Sequence, residues 1–364
     1  MANYYYSTSN IIGKPGIGSA ASINDIENAI YGDGSALYVF TSHTFTNAGQ
    51  TGKIGPSLST LTAEYSSATW TANTLYFNQG DYLGFQKWTV PETASYSFDV
   101  NGASGGLQQY WNGAGGGTPQ FFGGRVQGTI FLTMGDQIQI LVGHKGEDAG
   151  TYSNIVGNSS EGDNAAPGGG GATYVFVNSS DTYPLIVAPG AGGGSRNTTT
   201  VGNANMNGNF GKDSQTGPTY GAGGTNGNGG LKNSAGSSYW SAAGAGWLSD
   251  GTGGNQSINN NSANGTQGAS GGKAPRNGGT GGSRYNDGTD SGGDGGFGGG
   301  GGGSSDNAGT GGGAGYSGGG GGNGGSPSNA AGGGGGYYTG TGVTNVTASL
   351  RTTHGHGYCT VTKL

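Results

Sequence analysis

Three tracts of almost pure glycine, Gly298–Gly303, Gly318–Gly322 and Gly332–Gly336, lie in a stretch that is glycine-rich from about Gly202 onward. A segment of this kind has almost no side chains with which to build a core. Between Gly202 and Gly342, 54 of 141 residues are glycine, and the only Ile, Leu, Met, Phe or Trp side chains are Met206, Phe210, Leu231, Trp240, Trp247, Leu248, Ile258 and Phe297. Any order there has to come from backbone N–H and C=O groups satisfying one another. The opposing term is large, because ordering a residue costs about 1–2 kcal/mol in backbone entropy, with glycine at the costly end.

The 90 glycines and 10 prolines among 364 residues would by themselves suggest low-complexity disorder. Against that stand 20 Tyr, 11 Phe and 5 Trp, with only 9% charged residues. Disordered chains have the opposite balance. Collagen is excluded, since the tracts lack a strict three-residue glycine period and sufficient proline. Polyglycine can instead form extended threefold helices with about 3.1 Å rise per residue, so a six-glycine tract would span roughly 19 Å. A lone tract would stay disordered, but several anchored at both ends can cooperate.

Anchors are available on either side. ALYVFTSHTFT, LGFQKWTVP, ASYSFDVNGA, VQGTIFLTMGDQIQILVGHKG, ATYVFV, YPLIVAP and the closing GYCTVTKL are β-branched and aromatic segments divided by Gly, Pro, Asn and Asp turns. They predict an all-β antiparallel sandwich over 85–190 and 346–364, with a hairpin at Gly135-Asp136. Residues 191–345 then form a glycine-rich insert ahead of one last returning strand, and 35–84 a β-rich lead-in module. Residues 1–34 read either as an attachment segment or as a frayed terminus, with a helix at 22–32 behind the Ser22 cap and apolar surface on Tyr4, Tyr5, Tyr6, Ile11 and Ile12.

The formal net charge of −6, without a basic run, excludes the electrostatic footprint of nucleic-acid binding. No run of eighteen apolar residues appears, so membrane insertion is not expected, and the start of the chain lacks the pattern of a signal peptide. The Asn-x-Ser/Thr triplets, such as those at Asn178 and Asn345, then reflect the abundance of these residues. Cys359, the single cysteine, reads as a packed strand thiol.

His354 and His356 form an H-G-H pair whose rings share one strand face, but with His43 and His144 far off in sequence no third metal ligand is visible. Asp287, Asp290 and Asp294 lack the ligand spacing of a calcium loop. There is no G-x-S-x-G, H-E-x-x-H, Walker or Rossmann pattern and no nucleophile with a placed base, so the sequence predicts no enzyme, no cofactor and no metal.

The insert carries its large side chains in turns. Tyr220, Tyr239, Trp240, Trp247 and Tyr285 are the candidates for receptor binding, since aromatic rings offer large contact area at low entropy cost. The alternative is that these rings cap or flank the glycine helices; the stretch 237–249, with Trp240 and Trp247, reads as an exposed loop. Tyr316, Tyr337 and Tyr338 abut glycine tracts and read as packing residues.

The series KWTVPETASYSFDVNGASGG, GGRVQGTIFLTMGDQIQILVGHKG, PGGGGATYVFV, YPLIVAPGAGGGS and GHGYCTVTKL resembles the glycine-rich extracellular domain of anaplastic lymphoma kinase and leukocyte tyrosine kinase. That resemblance covers about residues 85–364 and implies a tumour-necrosis-factor-like sandwich with inserted polyglycine helices. The stretch HTFTNAGQTGKIGPSLSTLTAEYSSATWTANTLYFNQGDYLGFQKWTVP is similar to a module preceding the same domain in tailed-phage structural proteins. The tracts themselves resemble those of distal long-tail-fibre adhesins of T-even-like phages. Together these imply a virion protein, made in the host cytoplasm and attached to other tail-fibre proteins. It would bind a host receptor, glycan or outer-membrane protein, through loops on a polyglycine bundle. The alternatives are a structural virion protein without receptor binding and a glycine-rich ligand or receptor ectodomain of a eukaryote. The resemblance to a trimer-forming sandwich admits a homotrimer.

Overall fold

The computed structural model describes residues 36–107, 121–149, 166–194, 203–206, 210–214, 221–232, 241–253, 268–285, 291–304, 309–322 and 332–364. The expected helix at 22–32 and the attachment residues Tyr4, Tyr5, Tyr6, Ile11 and Ile12 lie outside these.

The described residues form an all-β sandwich of two antiparallel sheets. In chain order the strands are β1 (Ser42–Phe45), β2 (Phe77–Gln79), β3 (Phe85–Thr89), β4 (Ala94–Asn101), β5 (Gly124–Leu132) and β6 (Gln137–Leu141). They continue with β7 (Thr173–Phe176), β8 (Ile186–Ala188), β9 (Tyr338–Thr339), β10 (Thr344–Leu350) and β11 (Tyr358–Lys363). One sheet runs β1-β11-β4-β5-β10, the other β2-β3-β6-β7-β8-β9.

Period-two alternation sorts the side chains into two cores. Trp88, Tyr96, Phe98, Val126, Ile138, Ile140, Val175 and Val361 fill the space between the sheets, where Cys359 is also buried. The opposite-facing residues of the six-stranded sheet, Phe85, Leu141, Tyr174, Phe176 and Val187, form a second core with Trp247, Phe297 and Tyr316 from the glycine-rich region. Burial on both faces explains why β7 and β8 read as unbroken apolar runs, TYVF and IVA.

Three local expectations change. Gly135-Asp136 does form a tight turn, with Asp136 N–H donating to Thr133 O at 3.0 Å, but β5 and β6 belong to opposite sheets and the turn is an arch between them. The lead-in module contains a helix, α1 (Leu58–Glu64), capped by the Ser57 hydroxyl, which accepts from Thr60 N–H at 3.2 Å. Seven residues rich in Ser and Thr are too short to show a helical period. Where one returning strand was expected there are three: β9 and the start of β10 fall within 191–345, and β11 follows.

The glycine tracts form a continuous hydrogen-bonded array with a period of three. In the tract ending at Ser304, Gly300 and Gly303 donate to Gly296 and Gly293, and Gly301 and Ser304 donate to Gly312 and Gly309. Gly299 and Gly302 accept from Ala245 and Ala242, Gly300 and Gly303 from Gly282 and Tyr285, and Gly301 and Ser304 from Gly169 and Ala166. With Gly302 donating to Ser270, this one tract bonds to six surrounding segments, in both chain directions. The tract at 318–322 does the same: Gly318 and Gly321 donate to Asn228 and Leu231, while Gly319 and Gly322 donate to Gly313 and Thr310.

The array extends beyond the insert. β4, β6 and β8 run on into 102–107, 142–149 and 189–194, and 166–172 leads into β7; all four stretches join the array at one end of the sandwich. Ala103 N–H, for example, donates to Gly171 O, and Gly190 N–H to Ala314 O. The lead-in module contributes as well, since Gly281 N–H donates to Lys53 O and Phe297 N–H to Gly52 O.

Neighbouring backbones lie where a side chain would have to go. A methyl group at Gly301 would sit 2.5 Å from Ala242 O and 2.7 Å from Ala243 O, so nothing flexible could yield. Gly301→Ala is expected to cost about 3 kcal/mol or more by overpacking. At the exposed turn residue Gly49, whose φ is +70° with nothing within 4 Å, alanine should cost only about 1 kcal/mol of backbone strain. Urea unfolding midpoints of the two variants check the difference.

Candidate functional site

Each glycine segment of the array has one end against the sandwich and one away from it, and the two ends differ in kind. Near the sandwich, the turns carry large side chains that pack inward. Phe297 stands 6.3 Å from the Phe85 ring, and Tyr316 stacks on Tyr338 at 4.2 Å, which in turn stacks on Tyr183 at 6.1 Å.

Trp247 belongs to this group and corrects the sequence expectation. Its ring is 0% exposed, lies 5.3 Å from Phe176 and 5.9 Å from Tyr174, and its indole N–H donates to Asp181 O at 2.9 Å. The glycine tracts have no side chains to cover the outer face of the six-stranded sheet, so the few large residues of the adjoining turns do so. Trp247 therefore cannot meet a receptor in this fold.

At the far end, a layer of short polar and glycine residues ties the segments together. Ala166 N–H donates to Ser304 O at 2.9 Å, Gly322 N–H to Thr310 O at 2.9 Å, and the Thr310 hydroxyl to Gly193 O at 2.9 Å. Gly332 N–H bonds the Thr310 hydroxyl, and the Ser241 hydroxyl donates to Gly322 O. Tyr285 is also in this layer, its N–H donating to Gly303 O at 3.0 Å, but its ring is only 7% exposed and packs on Ala242 and Ala269. It is a second correction: the ring stabilises the layer and offers little surface.

Tyr220, Tyr239 and Trp240 lie outside the described residues. Their immediate neighbours do not: Gly221 donates to Gly321 O at 3.2 Å, and Ser241 holds Gly322, so both join the array at its far end. The stretches 214–221, 232–241, 285–291, 304–309 and 322–332 all start and finish at this end. The arrangement can hold several chain segments at fixed separations, which suits non-covalent recognition.

Elsewhere a groove of about 580 Å³ opens at the end of the sandwich remote from the array, lined by Asp81, Lys87, Phe131, Asp136, Gln139 and Leu185 among others. Burial would raise the Asp81 carboxyl, yet hydrogen bonds, foremost from Ser179 N–H at 2.8 Å, hold it below the usual range. Among the described residues its lining includes no Ser, Cys or His. Among the described residues no group of three or more His, Cys, Asp or Glu side chains could hold a metal ion. His356 does meet a partner invisible in the sequence, His144, at 5.6 Å between ring centroids, and accepts from Lys145 N–H at 3.1 Å. No helix among the described residues is long and apolar enough to cross a membrane.

No protein-family model matches the chain.

Burial lowers His43, His144 and His354 to about 4, with the Gly52 carbonyl on His144 Nδ1 at 2.9 Å only partly offsetting the effect there. These rings stay neutral in the fold and charge near pH 6.5 once unfolded. Their contribution is present above pH 6.5 and is lost as pH falls toward 4, because the unfolded chain takes up protons first. Urea midpoints should drop steadily between pH 7 and pH 5. An unchanged midpoint would contradict the buried neutral state.

Proposed function

We propose that this chain is a tail-fibre or receptor-binding protein of a tailed phage, an adhesin that attaches to the host surface through segments carried at the far end of the glycine array. One observation carries the reading: the chain on either side of Tyr220, and on either side of Tyr239 and Trp240, is anchored in one layer opposite the sandwich. The period of three in the hydrogen bonds supports the finer description of the tracts as polyglycine helices of the polyproline II type.

The roles divide along the chain. Residues 1–34, with Tyr4, Tyr5, Tyr6, Ile11 and Ile12, attach to other virion proteins. The sandwich, read as tumour-necrosis-factor-like, is the base. Tyr220, Tyr239 and Trp240 supply aromatic contacts to a glycan or outer-membrane receptor. No reaction is involved and no cofactor is required. Of the aromatic candidates in the sequence, Trp247 and Tyr285 leave the receptor set because both are buried.

The test separates recognition from folding. Removing the side chains of Tyr239 and Trp240 together should abolish adsorption to host cells with no change in Tm. Trp247→Ala should instead destabilise the fold by about 3–5 kcal/mol. Full adsorption by the Tyr239/Trp240 double variant would remove those residues from the proposal, and a wild-type protein that neither binds hosts nor blocks infection would favour a purely structural virion role.

A further inference from the structure

Among the described residues the two sheets present four edge strands, and only one of these is long. β1, β2 and β9 have four, three and two residues, lengths at which an edge offers little to a partner strand. β10 has seven, TNVTASL, and every one is exposed. It carries no charge and no proline, the usual means of blunting an edge. One irregularity is present, a register shift between Thr344 and Thr347, with Asn345 in the left-handed region at φ +51°.

The direction of its free groups follows from the ladder. Arg351 N–H donates to Gly123 O, and Ser349 and Thr347 stand opposite Arg125 and Gln127. By alternation Ala348 and Leu350 aim their N–H and C=O groups away from β5. No described residue pairs with them. Ala348 stands opposite the fully buried Val126, so its side chain is on the inner face of the sheet, together with that of Leu350. Leu350 is nonetheless 37% exposed, as Val346 is 41% exposed.

We propose that β10 pairs with β10 of a second copy of this chain, antiparallel across a two-fold axis at Ala348, joining two five-stranded sheets into one. A two-fold sets each group near the axis against its own duplicate, so any charge there would meet its like. β10 is uncharged over its whole length, in a chain of net charge −6. With Ala348 opposite Ala348, the N–H and C=O of each Ala348 meet those of its duplicate, and Leu350 falls opposite Val346. A single strand pair is a small contact beside the roughly 800 Å² per partner of a standard interface, so the dimer is weak and forms where copies are concentrated, as on a particle. Unlike the adsorption reading, this proposal needs no receptor.

Sedimentation of the full chain over a range of concentrations tests it. Wild type should show a reversible monomer–dimer equilibrium. Ala348→Pro, which removes an N–H that β5 does not use, should weaken dimerisation at least tenfold while Tm is held. As a second measurement, Ala348→Cys should give a disulfide-linked dimer on mild oxidation; the native Cys359 is buried and does not compete. A wild-type protein that stays monomeric at every concentration overturns the proposal. So does a dimer or trimer that neither variant alters.

Discussion

Everything in this molecule depends on backbone amides of one glycine segment reaching carbonyls of another across a gap too narrow for a Cβ. Each of these bonds contributes only about 1 kcal/mol net. The entropy of ordering glycine is of similar size per residue or larger. The array is thus viable only as a lattice in which nearly every N–H and C=O is used, and the tract at 299–304 meets that condition by bonding to six neighbours. A Cβ at Gly300, for example, would run into two neighbouring backbones at once, at Gly169 and Gly296.

Such a lattice needs a boundary that fixes register, and the sandwich provides it. β4, β6 and β8 deliver their continuing chain to the array at spacings set by the sheets, and 166–172 enters β7 from the same side. The second core, in which Trp247, Phe297 and Tyr316 pack on Phe85, Tyr174 and Phe176, holds the near turns against the sheet. Residues 52–55 of the lead-in module brace the side, with Lys53 Nζ 3.2 Å from Asp294 and 2.8 Å from the Ser283 hydroxyl. The far end is left to carry connections, and the proposed recognition role draws on that division.

The β segments were legible because strands packed on one or two faces leave period-two or continuous apolar runs, and most of those read in the sequence are strands. That the glycines are ordered through backbone hydrogen bonds was legible from composition and from their position ahead of a returning strand. What could not be read was that Trp247 and Tyr285 face inward; Tyr316, Tyr337 and Tyr338, which abut the tracts, read as packing residues and pack in the fold. SSYWSAAGAGW treats Trp240 and Trp247 alike, whereas only the fold sets Trp247 over the bare outer face of the six-stranded sheet. A glycine-rich neighbourhood gives no local sign of a packing partner 66 residues away at Asp181. The arch at Gly135-Asp136 escaped for a related reason, since turn chemistry specifies the reversal and only long-range pairing decides whether the strands share a sheet.

Inter-segment backbone hydrogen bonds hold the tracts, and amide hydrogen exchange reads this directly. Gly301, Gly312, Gly319 and Gly333, all donors within the array, should exchange as slowly as the β4–β5 ladder amides and open only with the whole fold. Exchange of these glycines at the rate of an unstructured chain, while the sandwich remains protected, would contradict it.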